Sequence, residues 1–296
     1  MKRDFPYRCL IRILLAVAAL AVVSDGARAE AETVLIIVDQ VYEYREPSQI
    51  TYTTIDDFDL PALALAEDML FAAGMDIVYP EDDSPHDVLL EITIRGRALG
   101  SSYFQPVKAY LYTGAQLDGA VVLTSSVGET ARSNFLSETQ RQFELTINLG
   151  YEDPRNAPFI TTLEQPGGLV ESLARVFHQV WGMDALVPSL YEHEPVIRSS
   201  VAKFLGDVGD PTVTPDLIDV LIYDEDERAR WEAAWSLGRI GDEQAIPSLI
   251  DALQDSSDDV RWFSSWSLRT ITGQSFGPDY DAWTQWWSGE DLAAEG

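Results

Sequence analysis

Cysteine is almost absent from this chain: the one copy among 296 residues, Cys9, lies in a short N-terminal stretch that reads as a leader. Without a later thiol, disulfides, thiolate metal sites and cysteine nucleophiles are excluded together, and stability has to come from packing. Positive charge is scarce as well, with 20 Lys and Arg against 49 Asp and Glu and a net charge of −29. Such a surface repels phosphate backbones and anionic lipid heads, which removes nucleic acid from the expected partners. Lysine is the scarcer cation, with three copies to seventeen arginines. Acid-rich, lysine-poor surfaces suit salty surroundings, where ions screen self-repulsion. No Gly-x-Ser-x-Gly elbow and no glycine-rich phosphate loop occurs, so the patterned nucleophile and nucleotide sites are missing. After Val23 no run is long and apolar enough to span a bilayer.

What is present begins with that leader. Lys2, Arg3, Arg8 and Arg12 precede an apolar run from Ile13 to Val23, and Ala27-Arg28-Ala29 follows. The run would cover about half a bilayer core, and small residues at 27 and 29 suit a signal peptidase, so residues 1–29 are expected to be a signal peptide cleaved after Ala29. The protein is then exported, periplasmic or extracellular. Cleavage takes five basic and two acidic residues with it, leaving 15 against 47, a net of −32.

Residues 30–182 read as an α+β domain. Thr33 to Val38 is a continuously apolar strand. Asp59 as N-cap, with Pro61 in the first turn, opens a helix running to Gly74. Further strands are expected at Met75–Tyr79 and Asp87–Gly96. A hairpin of Lys108–Tyr112 and Val121–Thr124 is expected to turn at Gln116–Gly119, and Arg141–Leu149 alternates again. A Pro-rich loop, Tyr151–Pro166, leads to a helix over Gly167–Trp181.

From residue 183 the pattern repeats. Val196-Ile-Arg198 leading to Ala202, Leu205-Gly206 and Val208-Gly209-Asp210 returns 32 residues later as Arg230, Ala234, Leu237-Gly238 and Ile240-Gly241-Asp242. It returns again after 31 as Arg261, Ser265, Leu268 and Ile271. Second helices, Thr214–Leu221 and Ala245–Leu253, lie between the copies, each with proline near its first turn. A period of 31–32 with two helices per unit is the mark of an α-solenoid, here of about three helix-pair repeats over 183–273. A Trp-rich segment, 274–296, is expected to cap the last apolar face with Trp283 and Trp287 at i, i+4 spacing.

The Val-Arg start, small-residue pair, Leu-Gly and closing Ile-Gly-Asp resemble the HEAT-like repeats of the phycobilisome-lyase type. That resemblance covers about 100 residues and implies an all-α solenoid that binds another macromolecule. Some HEAT-like enzymes, the deoxyhypusine hydroxylases, hold two irons through His-Glu pairs on successive repeats. Here only His193-Glu194 matches, since Trp231 precedes Glu232 and the third copy has Trp262-Phe263. No metal, cofactor or catalytic residue is therefore expected. The acidic runs (Asp56-Asp57, Glu81 to Asp83, Asp224 to Glu227, Asp258-Asp259) read as helix caps and solvated faces, without calcium-loop spacing.

All eight tryptophans lie from Trp181 onward. Trp231 and Trp262 share one repeat position, Trp235 and Trp266 another four residues on, so each repeat presents a pair on one helix face. Stacked repeats would align the pairs. These four residues are the expected partner-binding surface of an exported, non-enzymatic HEAT-repeat adaptor or scaffold that grips a protein. Two other readings stand beside it. One is an enzyme or maturation factor with a site in the α+β domain around His86; the other is a glycan-binding module using the tryptophans.

Overall fold

The computed structural model describes residues 32–45, 52–55, 62–100, 102–104, 109–140, 143–145, 162–163 and 167–289. The leader, the Asp59 cap with Pro61, most of the loop before residue 167 and the tail after Gly289 lie outside these residues. Glu32 onward forms one compact unit.

The first half is an α+β layer. Its main sheet has six strands: β1 (Thr33–Arg45), β2 (Tyr52–Ile55), β3 (Asp76–Val78), β4 (Val88–Leu99), β7 (Gly114–Ser125) and β8 (Gly128–Thr139). The order is β2-β1-β4-β7-β8, with β3 beside the start of β1. β1 runs parallel to β3 and β4, and the remaining pairs are antiparallel. A small second sheet joins β5 (Ser102–Phe104), β6 (Ala109–Tyr112) and β9 (Phe143–Leu145).

Alternation decides which face is covered. In β4 Val88, Leu90, Ile92 and Ile94 are buried, and their register partners Leu123 and Val121 in β7 continue the same face. Ala131, Ser133 and Phe135 extend it across β8. On that face pack helices α1 (Ala62–Ala72) and α2 (Leu169–Trp181).

The sequence expectation of a turn at Gln116–Gly119 does not hold. β7 runs straight through it, β6 pairs in the other sheet, and the chain reverses at Ser126-Val127 instead. Gly119 carries no turn; a Cβ there would stand 2.1 Å from the Thr93 carbonyl oxygen and 2.6 Å from the Phe135 ring. The glycine is an opening in the pleat that the Phe135 ring fills from the neighbouring strand. β2, β5 and β8 are strands that the sequence reading did not place.

α2 is buried nearly all round, as Leu169, Val170, Leu173, Ala174, Val176 and Phe177 show. One side meets β7 and β8, where Ser133 and Ser172 share a buried hydrogen bond of 3.2 Å, and the other meets the first repeat helix. It is therefore the joint through which sheet and repeats share one core. Beyond it come α3 (Pro195–Val208), α4 (Thr214–Tyr223), α5 (Glu227–Ile240), α6 (Ile246–Asp251), α7 (Asp258–Thr272) and α8 (Tyr280–Ser288). Helices α3, α5 and α7 stack in one layer, and α4, α6 and α8 follow one another in a second. The Trp-rich segment thus contains the second helix of the third repeat.

Candidate functional site

The repeats are joined by a device that the period predicts only in part. In α5 the Ser236 hydroxyl donates to the Ala202 carbonyl of α3 at 2.8 Å. In α7 Ser267 donates to the Ala234 carbonyl of α5 at 2.7 Å. Both contacts need a missing side chain. A Cβ on Gly206 would stand 2.5 Å from Ser236 Cβ, and one on Gly238 would stand 2.7 Å from Ser267 Cβ. Glycine lets the backbones close, and serine uses the closeness for a buried bond to a helical carbonyl. Each first helix then stops at a left-handed glycine, Gly209, Gly241 or Gly273, because only glycine takes that cap conformation without strain.

The recurring arginines hold the loops. Arg198 binds Asp224 through Nε and Nη2, both at 2.7 Å, and its Nη1 donates to the carbonyls of Glu192 and His193. Arg230 repeats this with Asp255 at 2.8 and 3.0 Å and with the carbonyls of Asp224 and Glu225. Each guanidinium therefore ties the loop before its helix to the loop after the following one. The Asp255 carboxyl is held below the usual carboxylate range; burial alone would raise it, but the Arg230 bonds and the Ser257 N–H outweigh that. Arg261 departs from the pattern. It keeps the Asp255 carbonyl but turns to Asp258 of its own helix.

The four expected tryptophans occupy three different settings. Trp231 is half-buried and stacked on Phe263 of the next repeat, with centroids 4.9 Å apart and planes at 18°. Trp262 meets the same Phe263 edge-on at 4.8 Å and leaves 60% of its surface exposed. Trp235 is half-buried between cations, the Arg239 guanidinium at 5.2 Å and the Lys203 ammonium at 5.9 Å from its ring. Trp266 is half-buried, and among the described residues no ring pairs with it. Trp231 and Trp262 are thus linked through Phe263 and do not stack directly. Phe263 escaped the sequence reading because Glu232 holds its position in the preceding repeat.

Charge collects beside Trp235. Lys203 bridges Glu171 of α2 at 3.2 Å and Asp207 at 2.9 Å, and Arg239 reaches Asp207 at 3.3 Å. Glu232 lies nearby, only 3% exposed, and its carboxyl makes no hydrogen bond to any described residue. Burial pushes its carboxyl up to about 7, opposed by Arg228 and Lys203 and aided by Glu171 and Asp207.

At the far end, Trp283 is fully buried, edge-on to Phe276 at 4.9 Å, and its indole donates to the Gly277 carbonyl. Its companion inside is Trp286, at 5.7 Å, while the expected Trp287 is exposed. Spacing i, i+3 serves a helix face as well as i, i+4, and here it is the one used. The histidines are scattered. His86 and His193 are exposed, and His178 lies edge-on to Phe204. Asp87 beside His86 is engaged in accepting from the Thr33 amide at 2.8 Å. Among the described residues no group of three His, Asp or Glu is placed to hold a metal ion, and no helix is long and apolar enough to cross a membrane.

Residues 183–269 match the family model of HEAT repeats, and the C-terminal part of the chain is a run of HEAT-like repeats. No curated protein matches the chain. Among solved structures, the complex of CpcE and CpcF of phycocyanin lyase from Nostoc sp. PCC7120 is similar at 15% identity, over 43% of this chain and 83% of that one, with a TM-score of 0.33. A protein of Xanthomonas campestris from a family of unassigned function is similar at 16% identity, over 48% and 83%, with a TM-score of 0.26.

Proposed function

We propose that this chain is an exported, non-enzymatic scaffold whose first-helix layer grips a partner protein around Trp262 and Trp266, with Trp231 and Trp235 beside them. The observation that carries the reading is Trp262, 60% exposed on a well-packed helix and flanked by exposed Asp258 and Asp259. A large aromatic anchor inside a charged rim has the composition of an interface hot spot. Phe263 supports it from behind, so the ring is held in place before a partner arrives. Trp235 contributes in a different way. With cations over its ring and Asp207 beside them, it forms a polar flank to the apolar centre.

Export rests on the leader, with its basic start, short apolar run and Ala-Arg-Ala close. Fractionation of the host and N-terminal sequencing tests it, and a protein found intact in the cytoplasm would remove it. Affinity capture with wild type and Trp262→Ser, both shown to melt alike, tests the surface. A partner retained by wild type and lost by the variant supports the scaffold. The same partner retained equally by both moves the interface elsewhere. Retention on cell-wall polysaccharide that the variant loses would make the module glycan-binding.

A further inference from the structure

Among the described residues α7 is the last helix of its layer, and its outer face differs from the faces that are filled. Toward α7, helix α5 presents Trp231, Ala234 and Gly238, with Glu227 one turn earlier; Phe263 and Ser267 cover them. The equivalent residues of α7 are Asp258, Trp262, Ser265 and Arg269, at the same 4-3-4 spacing along one stripe. Arg269 stands where the joint needs glycine, so a fourth repeat helix of the same design has no place to close. Asp258, Trp262 and Arg269 are exposed; Asp258 pairs with Arg261 of its own helix, and the Arg269 side chain has no hydrogen bond or ion pair among the described residues. A cation with no side-chain partner among the described residues is unusual in a chain with 20 basic residues against 49 acidic ones.

The stripe is its own complement when reversed. Turned about a two-fold axis between residues 263 and 264, it sets Asp258 against Arg269 of the second copy and Trp262 against Ser265 of the second copy. A contact that repeats i to j as j to i is what a two-fold interface requires. A purely basic partner would be drawn by Asp258 but opposed by Arg269, and a purely acidic one the reverse. A second copy of this chain satisfies both ends.

We propose that the open face of α7 pairs with the same face of a second copy, antiparallel, joining two repeat stacks end to end. The proposal rests on reading the tryptophan surface as an interface, and it names the partner of that surface at its exposed end. The stripe spans about 17 Å of helix, small for a permanent dimer, so the association is reversible and appears at about 10–100 µM. Both copies are strongly acidic. Association therefore strengthens as salt rises from low values toward physiological strength, where charges beyond about 8 Å are screened.

Sedimentation of the purified protein over a concentration series tests this with wild type, Asp258→Arg, Arg269→Asp, the double reversal and Trp262→Ser, all checked for equal melting. Each single reversal sets like charges against each other twice across the axis and is expected to weaken association about tenfold. The double reversal restores it, because each copy then carries both altered partners. Trp262→Ser abolishes it. A wild type monomeric into the hundreds of micromolar, a double reversal without recovery, or an unaffected Trp262→Ser each overturns the pairing. Loss of a captured protein by Trp262→Ser in a chain that stays monomeric would overturn the pairing and leave the scaffold reading standing.

Discussion

Arg198→Met is the sharpest perturbation of the repeat architecture, because it removes four hydrogen bonds at a site that water hardly reaches. The guanidinium and the Asp224 carboxylate are 8% and 5% exposed, and the two shared bonds are 2.7 Å each. Methionine keeps the aliphatic stem but leaves the carboxylate buried without a cation, which costs about 3–5 kcal/mol at comparable sites. The lower end, about 3 kcal/mol, applies here because Asp224 still accepts the Asp226 N–H at 2.9 Å and the freed loop carbonyls can be hydrated. Arg261→Met is the control at the same repeat position. Its carboxylate partner Asp258 is 92% exposed, so the ion pair contributes about 0–1 kcal/mol and the carbonyl bond about 1. Urea unfolding followed by far-UV circular dichroism measures both, and the expected gap is about 1–2 kcal/mol, or roughly 2–8 °C in melting temperature. Adding Asp224→Leu to Arg198→Met should recover most of the loss, since the uncompensated charge is what costs. Equal losses in the two arginine variants, or no recovery in the double, would refute the argument that these arginines staple successive loops.

Glu232→Gln should stabilise the protein by up to about 3 kcal/mol at pH 8 and by less than about 1 kcal/mol at pH 5, as read by thermal melts across that range. The sign follows from a carboxyl raised from 4.5 to about 7: between those values the folded chain holds a proton that the unfolded chain has lost, so wild-type stability falls as pH rises. Gly238→Ala gains about 1 kcal/mol of helix propensity, yet its Cβ would sit 2.8 Å from Ser267 Cα, so a net loss of about 1–2 kcal/mol in urea is expected. Trp283→Ala should cost about 3–5 kcal/mol in the same assay and Trp287→Ala almost nothing, because the first is fully buried and the second exposed. The melting temperature should rise between low and molar salt, as screening relieves the repulsion behind a net charge of −29.

The repeats were legible because they are local. Arg198, Arg230 and Arg261, the glycines that close each first helix, and the proline-opened second helices recur at fixed spacing, and a helix is specified within a few turns of chain. The sheet was much less legible. Asp118-Gly119 carries a turn signature, but the glycine answers to Phe135, sixteen residues away on another strand. β8 alternates Ala131, Ser133, Phe135 and Ser137 inward, a face too mixed to announce itself until α2 covers it.

The candidate surface divides the same way. The sequence alone determined that tryptophans recur at two positions of the repeat and that arginines recur at a third, since spacing along a helix settles which residues share a face. Only the tertiary structure decided what covers each ring. Phe263 stacks on Trp231, Lys203 and Arg239 flank Trp235, and among the described residues no further repeat closes over Trp262. Identical positions in a repeat have identical local geometry, but their exposure depends on the neighbouring repeat, and among the described residues α7 has a neighbour of its own layer on one side only.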